Sequence, residues 1–183
     1  DKRMQAFYAS ILSADDKRKP NIIFDVTLKD LRKLEKLTRQ VSSIGYDKKN
    51  VHIVWVVNDI EIAKKQNAER DRQVPVEILI NTHRGASQTM LDIINMGKSL
   101  KKYMDGDIVF AFNKIDVDST ILSSDKSGDK IGMKGKTKGG MAITDANYFY
   151  VKRAGKDVTP QDKLSKDLKA KVASYVPKNA EWS

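Results

Sequence analysis

Apolar residues along this chain fall into runs whose spacing changes from helical to extended and back. Met4, Phe7, Tyr8, Ile11 and Leu12 recur at helical spacing until Ser13-Ala14-Asp15-Asp16 interrupts them. After Pro20, Ile22-Ile23-Phe24 is a short continuous apolar run, the pattern of a parallel strand covered on both faces. Thr27 and Asp30 have the spacing of a capping box, and Leu28, Leu31, Leu34, Leu37, Val41 and Ile44 then recur every three or four residues, predicting a helix to Gly45. Val51 to Val57 (Val-His-Ile-Val-Trp-Val-Val) is the clearest strand, and Asn58 with Glu61 offers a cap for a helix through Ala63 and Asn67.

Pro75 suits the first turn of a helix through Leu79 and Ile80. A further helix, Thr89 to Tyr103, carries Met90, Leu91, Ile94 and Leu100, and Asp107 to Phe112 reads as a third strand. The alternation of strand and helix predicts an α/β fold: a parallel sheet with helices on both faces, formed by residues 1–117, with strands at about 21–25, 51–57 and 107–112 as parallel neighbours. Residues 118–183 change character. Up to about residue 147 they are rich in Ser, Gly, Lys and Asp, as in a long loop or irregular hairpin. Tyr148-Phe149-Tyr150-Val151 then reads as a strand, and Pro160 opens a helix with Leu164, Leu168 and Val172 that ends near Tyr175. This second part is expected to be an irregular basic appendage.

At 183 residues the chain is long enough for one real core, and 40% hydrophobic with 32% charged residues is a globular balance. No apolar run approaches the roughly 20 residues of a membrane span, and the polar start at Asp1-Lys2-Arg3 is not a signal peptide. Asp1 is not a natural initiator, so the chain is expected to be part of a longer or processed protein. Absence of cysteine excludes disulfide and thiolate chemistry and suits a reducing compartment. A net charge of +10 and a pI near 9.6 favour polyanionic partners, nucleotides or nucleic acid among them, although a lysine-rich solvated surface gives the same balance.

Several residues could carry chemistry. Asp25 at the end of the first strand would lie where open α/β sheets bind ligands, holding magnesium through water, and Thr27 could bond a phosphate or substrate. The alternative is that Thr27 caps the next helix and Asp25 satisfies a loop amide. Arg70 and Arg72, two residues apart at a helix end before Val74-Pro75, could neutralise transferring phosphate, or simply add solubilising charge. Arg84 and His83 follow one helix later. The string Asn113-Lys114-Ile115-Asp116 after a strand matches the guanine-recognition tetrapeptide of GTPases, and more generally places Asn113, Lys114 and Asp116 beside a bound base.

Gly132-Met133-Lys134-Gly135-Lys136-Thr137 mimics the end of a phosphate-cradling loop, but the first glycine the motif requires is Lys130. A basic segment touching a polyanion is the better reading there, extended by Lys138, Lys152, Arg153 and Lys156. His52 and His83 show no metal-ligand spacing. Trp55 reads as core, and Trp182 as a terminal anchor or exposed residue.

Residues 21–116 resemble the later part of the zeta-toxin and polynucleotide-kinase branch of P-loop kinases. The matching pieces are Ile22-Ile23-Phe24-Asp25-Val26-Thr27, Ile44-Gly45-Tyr46, Val51 to Val57, Lys65-Gln66-Asn67-Ala68-Glu69-Arg70, and Val74-Pro75. In that family the first piece is a strand ending in an acid-x-Thr near substrate and metal. The fourth is an Arg-Asn-x-x-Arg lid whose last arginine, matching Arg70, contacts the transferring phosphate. Gln66 stands where the family often has its first lid arginine, a place Arg72 could fill.

The resemblance implies an ATP- and magnesium-dependent phosphotransferase whose Walker A loop would precede residue 1, so that this chain by itself is inactive. Asp25 would face magnesium, Thr27 and Arg32 the acceptor, and Arg70, Arg72 and Arg84 the phosphates. The implied partner is the missing N-terminal part of the same protein. A second reading keeps the fold as a degenerate structural or binding component, with other copies of the chain or virion proteins as partners. A third is a GTPase built on Asn113 to Asp116. Such kinases are common in tailed bacteriophages, so the cytoplasm of a bacterial or phage-infected cell, or a virion, is the expected location.

Overall fold

The computed structural model describes residues 2–113, 120–123, 140–143, 147–178 and 181–182. In chain order its elements are α1 (Lys2–Leu12), α2 (Leu31–Ser43), β1 (Ile53–Asn58), α3 (Ile60–Ala68), α4 (Val76–Asn95), β2 (Ile108–Asn113), β3 (Thr120–Ser123), β4 (Gly140–Ile143), β5 (Asn147–Lys152) and α5 (Lys166–Tyr175). The architecture is mixed α/β: a three-stranded sheet in the order β1-β2-β5, a separate β3-β4 pair, and several helices.

β1 and β2 are the strands the apolar runs predicted. They lie parallel in register from Ile53↔Ile108 to Asn58↔Asn113. β5 joins the far side of β2 in the opposite direction, from Ile108↔Lys152 to Phe112↔Asn147. The sheet is therefore mixed, not parallel throughout. Residues 21–25 form no strand. They run extended with Ile22 and Phe24 half-buried and Ile23 93% exposed, because no neighbouring strand meets their backbone.

Helices cover one face of the sheet. Trp55 and Phe110 point into that face, with ring centres 4.9 Å apart and planes at 90°. Trp182 packs 6.0 Å from each. Its indole N–H donates to Ser87 Oγ of α4 at 2.8 Å, so both are fully buried without an unsatisfied polar atom. On the opposite face Val54 is 62%, Val56 54%, Tyr148 48% and Tyr150 43% exposed. The expectation of helices on both faces fails for the described residues. Far from being an appendage, β5, α5 and Trp182 complete the core begun by α4 and β2, with Val151, Leu168 and Val172 in the same cluster as Leu91, Ile94 and Phe110.

Helix starts differ by one to three residues from the predicted ones. Asp30 itself caps α2, accepting the Arg32 N–H at 2.8 Å, in place of a box opened by Thr27. Asp59, not Asn58, caps α3 through the N–H groups of Glu61 at 2.8 Å and Ile62 at 3.3 Å. The two helices expected over residues 75–103 are one 20-residue α4, about 30 Å long, followed by a 3₁₀ turn at Gly97–Lys102. Gly85 lies mid-helix where the extended segment crosses: a Cβ there would stand 3.1 Å from Lys29 Cβ and 3.2 Å from its carbonyl.

The loops at the amino end of the strands are tied to the core by a buried ion pair. Lys152, 2% exposed, places Nζ 2.9 Å from Asp105 Oδ1 and 3.1 Å from the carbonyls of Asp105 and Gly106. Gly106 cannot carry a side chain, since a Cβ would fall 2.1 Å from the Val51 carbonyl oxygen. Among the described residues no helix is long and apolar enough to cross a membrane.

Candidate functional site

Ligands of open α/β sheets collect outside the carboxyl ends of parallel strands, and here that edge is Asn58 beside Asn113. α3 leaves from it, capped by Asp59, and rises nine residues, about 13 Å, before the chain turns and α4 returns. The first turn of α4 stands clear of the core: Val76 and Ile78 are 48% and 55% exposed, Leu79, Ile80 and His83 are half-buried, and fully buried side chains begin only at Ser87. The α3–α4 unit is thus a projecting helical hairpin with the turn 69–75 at its tip.

That turn is fixed by one side chain. Asn67, 5% exposed, donates from Nδ2 to the Val74 carbonyl at 2.7 Å and accepts the Val74 N–H with Oδ1 at 3.0 Å. Gln73 Nε2 adds a bond to the Ala68 carbonyl at 2.8 Å. The amide of Asn67 imitates a strand partner for a single residue, closing a loop over residues 68–73 whose exposed members include Arg70, Asp71 and Arg72. Neither arginine makes an ion pair or side-chain hydrogen bond among the described residues, so both guanidinium groups keep their donors unspent. In the sequence Asn67 stands where the Arg-Asn-x-x-Arg pattern has its asparagine, but nothing there gives it the structural role of closing the turn.

The remaining candidates are dispersed. Asp25 and Thr27 are exposed on the extended segment before α2, not at a strand tip, which corrects the placement expected of Asp25. Thr27 offers its carbonyl to Lys29 N–H at 2.8 Å. Arg32 is turned onto Asp30, its Nε 2.9 Å from Oδ2, and this bond together with the backbone N–H of Arg32 holds the Asp30 carboxyl below its ordinary value. Arg84 is exposed on α4, donating to Asn81 Oδ1 at 3.2 Å. His83 on the same helix is half-buried, and burial pushes its pKa down. His52 accepts the Asp107 N–H on Nδ1 at 2.9 Å, a structural bond.

Asn113 ends β2 at the carboxyl edge, while Lys114, Asp116 and the segment Gly132 to Thr137 lie outside the described residues. The structure therefore brings Arg70 and Arg72 together on one clamped tip and puts Asn113 at the sheet edge. It leaves Asp25, Thr27 and Arg32 on a separate stretch.

Among the described residues no group of three His, Cys, Asp or Glu side chains could hold a metal ion. Asp25 is a single exposed carboxylate, and magnesium requires near-octahedral oxygen ligation. The residues present do not make a magnesium site by themselves. Comparison of the chain with protein-family models, with curated proteins and with solved structures finds no match.

Proposed function

We propose that this chain is the C-terminal portion of a zeta-toxin/polynucleotide-kinase-like, ATP-dependent phosphotransferase whose phosphate-cradling loop comes from a segment outside these residues. The observation that carries the reading is the clamped arginine tip, a projecting hairpin that leaves the carboxyl edge of a parallel strand pair and presents Arg70 and Arg72 with no internal partner among the described residues. Phosphoryl transfer is catalysed largely by positioning and charge neutralisation. A rigid tip bearing unpaired guanidinium groups suits that chemistry. Arg70 contacts the transferring phosphate, and Arg72 supplies the second cation that Gln66 does not. Thr27 and Arg32 serve the acceptor, and Asn113 the base. Asp25, a single exposed carboxylate, would serve a magnesium ion only through water.

The unfinished sheet supports the same reading. β1 pairs only with β2 among the described residues, and the extended apolar stretch 21–26 has no strand partner there. A strand supplied by another segment could pair with each.

The test compares this chain with the longest reading frame that contains it. The chain alone is expected to bind ATP too weakly for calorimetry at micromolar concentrations and to transfer no γ-phosphate, because it supplies no backbone amide cradle among the described residues. The longer protein is expected to turn over ATP with magnesium, and Arg70→Ala to lower its kcat on the order of 100-fold, as for other groups that stabilise transition-state charge, with little change in stability. Absence of turnover in the longer protein, or an unchanged rate in the variant, overturns the reading. It would leave a degenerate kinase fold acting as a binding or structural component.

A further inference from the structure

The amino edge of the sheet, opposite the arginine tip, gathers charge from three separate stretches of chain. The 3₁₀ turns Lys48–Asn50 and Gly97–Lys102 precede β1 and β2, and antiparallel β5 delivers residues 153–157 to the same end. Backbone bonds stitch them together: Asp105 N–H to the Lys48 carbonyl at 2.8 Å, and Gly155 N–H to the Asp105 carbonyl at 2.9 Å.

The acids of this edge are all engaged inside the protein. Asp47 accepts the Lys49 N–H at 2.9 Å, and Asp105 holds buried Lys152 at 2.9 Å. Asp107 accepts the Ala154 N–H at 2.8 Å and lies 3.2 Å from His52. Asp157 pairs with Lys101 at 2.9 Å. That bond is the main reason its carboxyl titrates below the ordinary value, and the fields of Lys98 and Lys152 add to it, so Lys98 faces the same patch. Asp105 and Asp157 are neutralised by lysines, and the balance of the edge is positive. Lys48, Lys49, Lys98, Lys102, Arg153 and Lys156 are exposed and make no ion pair among the described residues. Lys48 and Lys102 also border a hollow of about 440 Å³, whose one lining carboxylate, Glu35, is already held by Tyr103 Oη at 2.9 Å.

Around the corner lies the open face of the sheet, where Tyr150 and Tyr148 are half-exposed with ring centres 5.9 Å apart. The Arg153 guanidinium stands 3.2 Å above the Tyr150 ring, joining the charged edge to the aromatic face. Concentrated like charge opposes folding through self-repulsion, and exposed rings on a sheet are a poor surface for water. A polyanion that also carries flat rings relieves both.

We propose that this edge and the adjoining face bind single-stranded nucleic acid, with phosphates on the lysines and unpaired bases against Tyr148 and the Arg153–Tyr150 stack. An acidic protein segment would neutralise the lysines but leave the rings uncovered, and a duplex keeps its bases stacked away from them. The inference does not rest on the phosphotransferase reading, since it uses the opposite edge of the sheet.

The test is fluorescence anisotropy of the full chain with a labelled oligothymidine or oligouridine of roughly 20 nucleotides, longer than one typical binding site. Binding is expected at about 50 mM salt, weakening as salt rises to about 200 mM with a slope near −0.7 per phosphate neutralised. Lys48→Glu, Lys102→Glu and Lys156→Glu together are expected to weaken binding at least tenfold and to flatten that slope. Tyr150→Ala is expected to weaken it several-fold with the slope unchanged, as loss of stacking does. All four positions are exposed, and circular dichroism identical to the parent establishes that each variant is folded. No binding at low salt overturns the proposal, as does binding indifferent to these substitutions. Equal competition by polyglutamate would assign the surface to acidic protein, and equal competition by duplex DNA would remove the role of the rings.

Discussion

Replacing Asn67 by alanine tests whether one buried amide sets the arginine tip. The side chain makes bonds of 2.7 and 3.0 Å to the two backbone groups of Val74, at a position 5% exposed. Each neutral hydrogen bond contributes about 1 kcal/mol net, and a backbone group left buried without a partner costs about 1–3 kcal/mol. Two such groups would cost about 2–6 kcal/mol if fully buried, and about 2 kcal/mol where water reaches the exposed Val74 in the loosened turn. The turn stands away from the core cluster, so much of this loss should emerge as local opening. Amide exchange at Val74 is expected to accelerate about 30-fold, the equivalent of 2 kcal/mol, while urea unfolding shifts less. Asn67→Asp retains the acceptor for Val74 N–H but sets a carboxylate against the Val74 carbonyl, and is expected to be at least as damaging. Wild-type exchange at Val74 in the alanine variant would refute the clamp, and with it the rigidity ascribed to Arg70 and Arg72.

Two further outcomes follow from the core. Trp182→Ala is expected to destabilise by about 3–5 kcal/mol through lost packing on Trp55 and Phe110, with the Ser87 hydroxyl also left unpartnered; a urea titration showing a loss below about 1 kcal/mol, the size of an ordinary surface change, would place residues 181–182 outside the core. Burial holds the His83 pKa below its ordinary 6.5, so the unfolded chain takes up the proton first and stability is expected to fall as pH drops through that value; His83→Gln should flatten this dependence, and an unchanged pH–stability profile would refute it.

How much can be read from sequence depends on where each residue's partner lies. β1 and β2 are legible because Val51 to Val57 and Asp107 to Phe112 are dense in β-branched and aromatic residues between polar breaks. The direction of β5 is not, because it depends on the path of a connection and not on the strand's own residues. α4 reads as two helices because polar residues surround Gly85. A mid-helix glycine weakens a helix by only about 1 kcal/mol, and here it is the residue that lets Lys29 cross. The charges of the candidate site are visible at Arg70 and Arg72, since a helix ending before Val-Pro announces a turn. The residue that fixes the turn is not visible, because burial of Asn67 is a tertiary fact.

The strand expected at 21–25 but not formed, and the unpaired outer edge of β1, have one cause on the phosphotransferase reading. An apolar run becomes a strand only if its N–H and C=O groups find a ladder. Ile22 and Phe24 are half-buried and Ile23 lies 93% exposed, the period-two pattern of a strand waiting for a neighbour. β1 meanwhile presents an edge that no described strand occupies. On that reading, a strand pairing with β1 on one side and, in parallel, with residues 21–26 on the other would satisfy both rows of backbone groups and set Asp25 toward the carboxyl edge where Asn58 and Asn113 lie. The same insertion that supplies a phosphate cradle would thus assemble the acid, the hydroxyl of Thr27 and the arginine tip around one ligand. The dispersion of these residues and the inactivity expected of the chain alone then have a single structural origin.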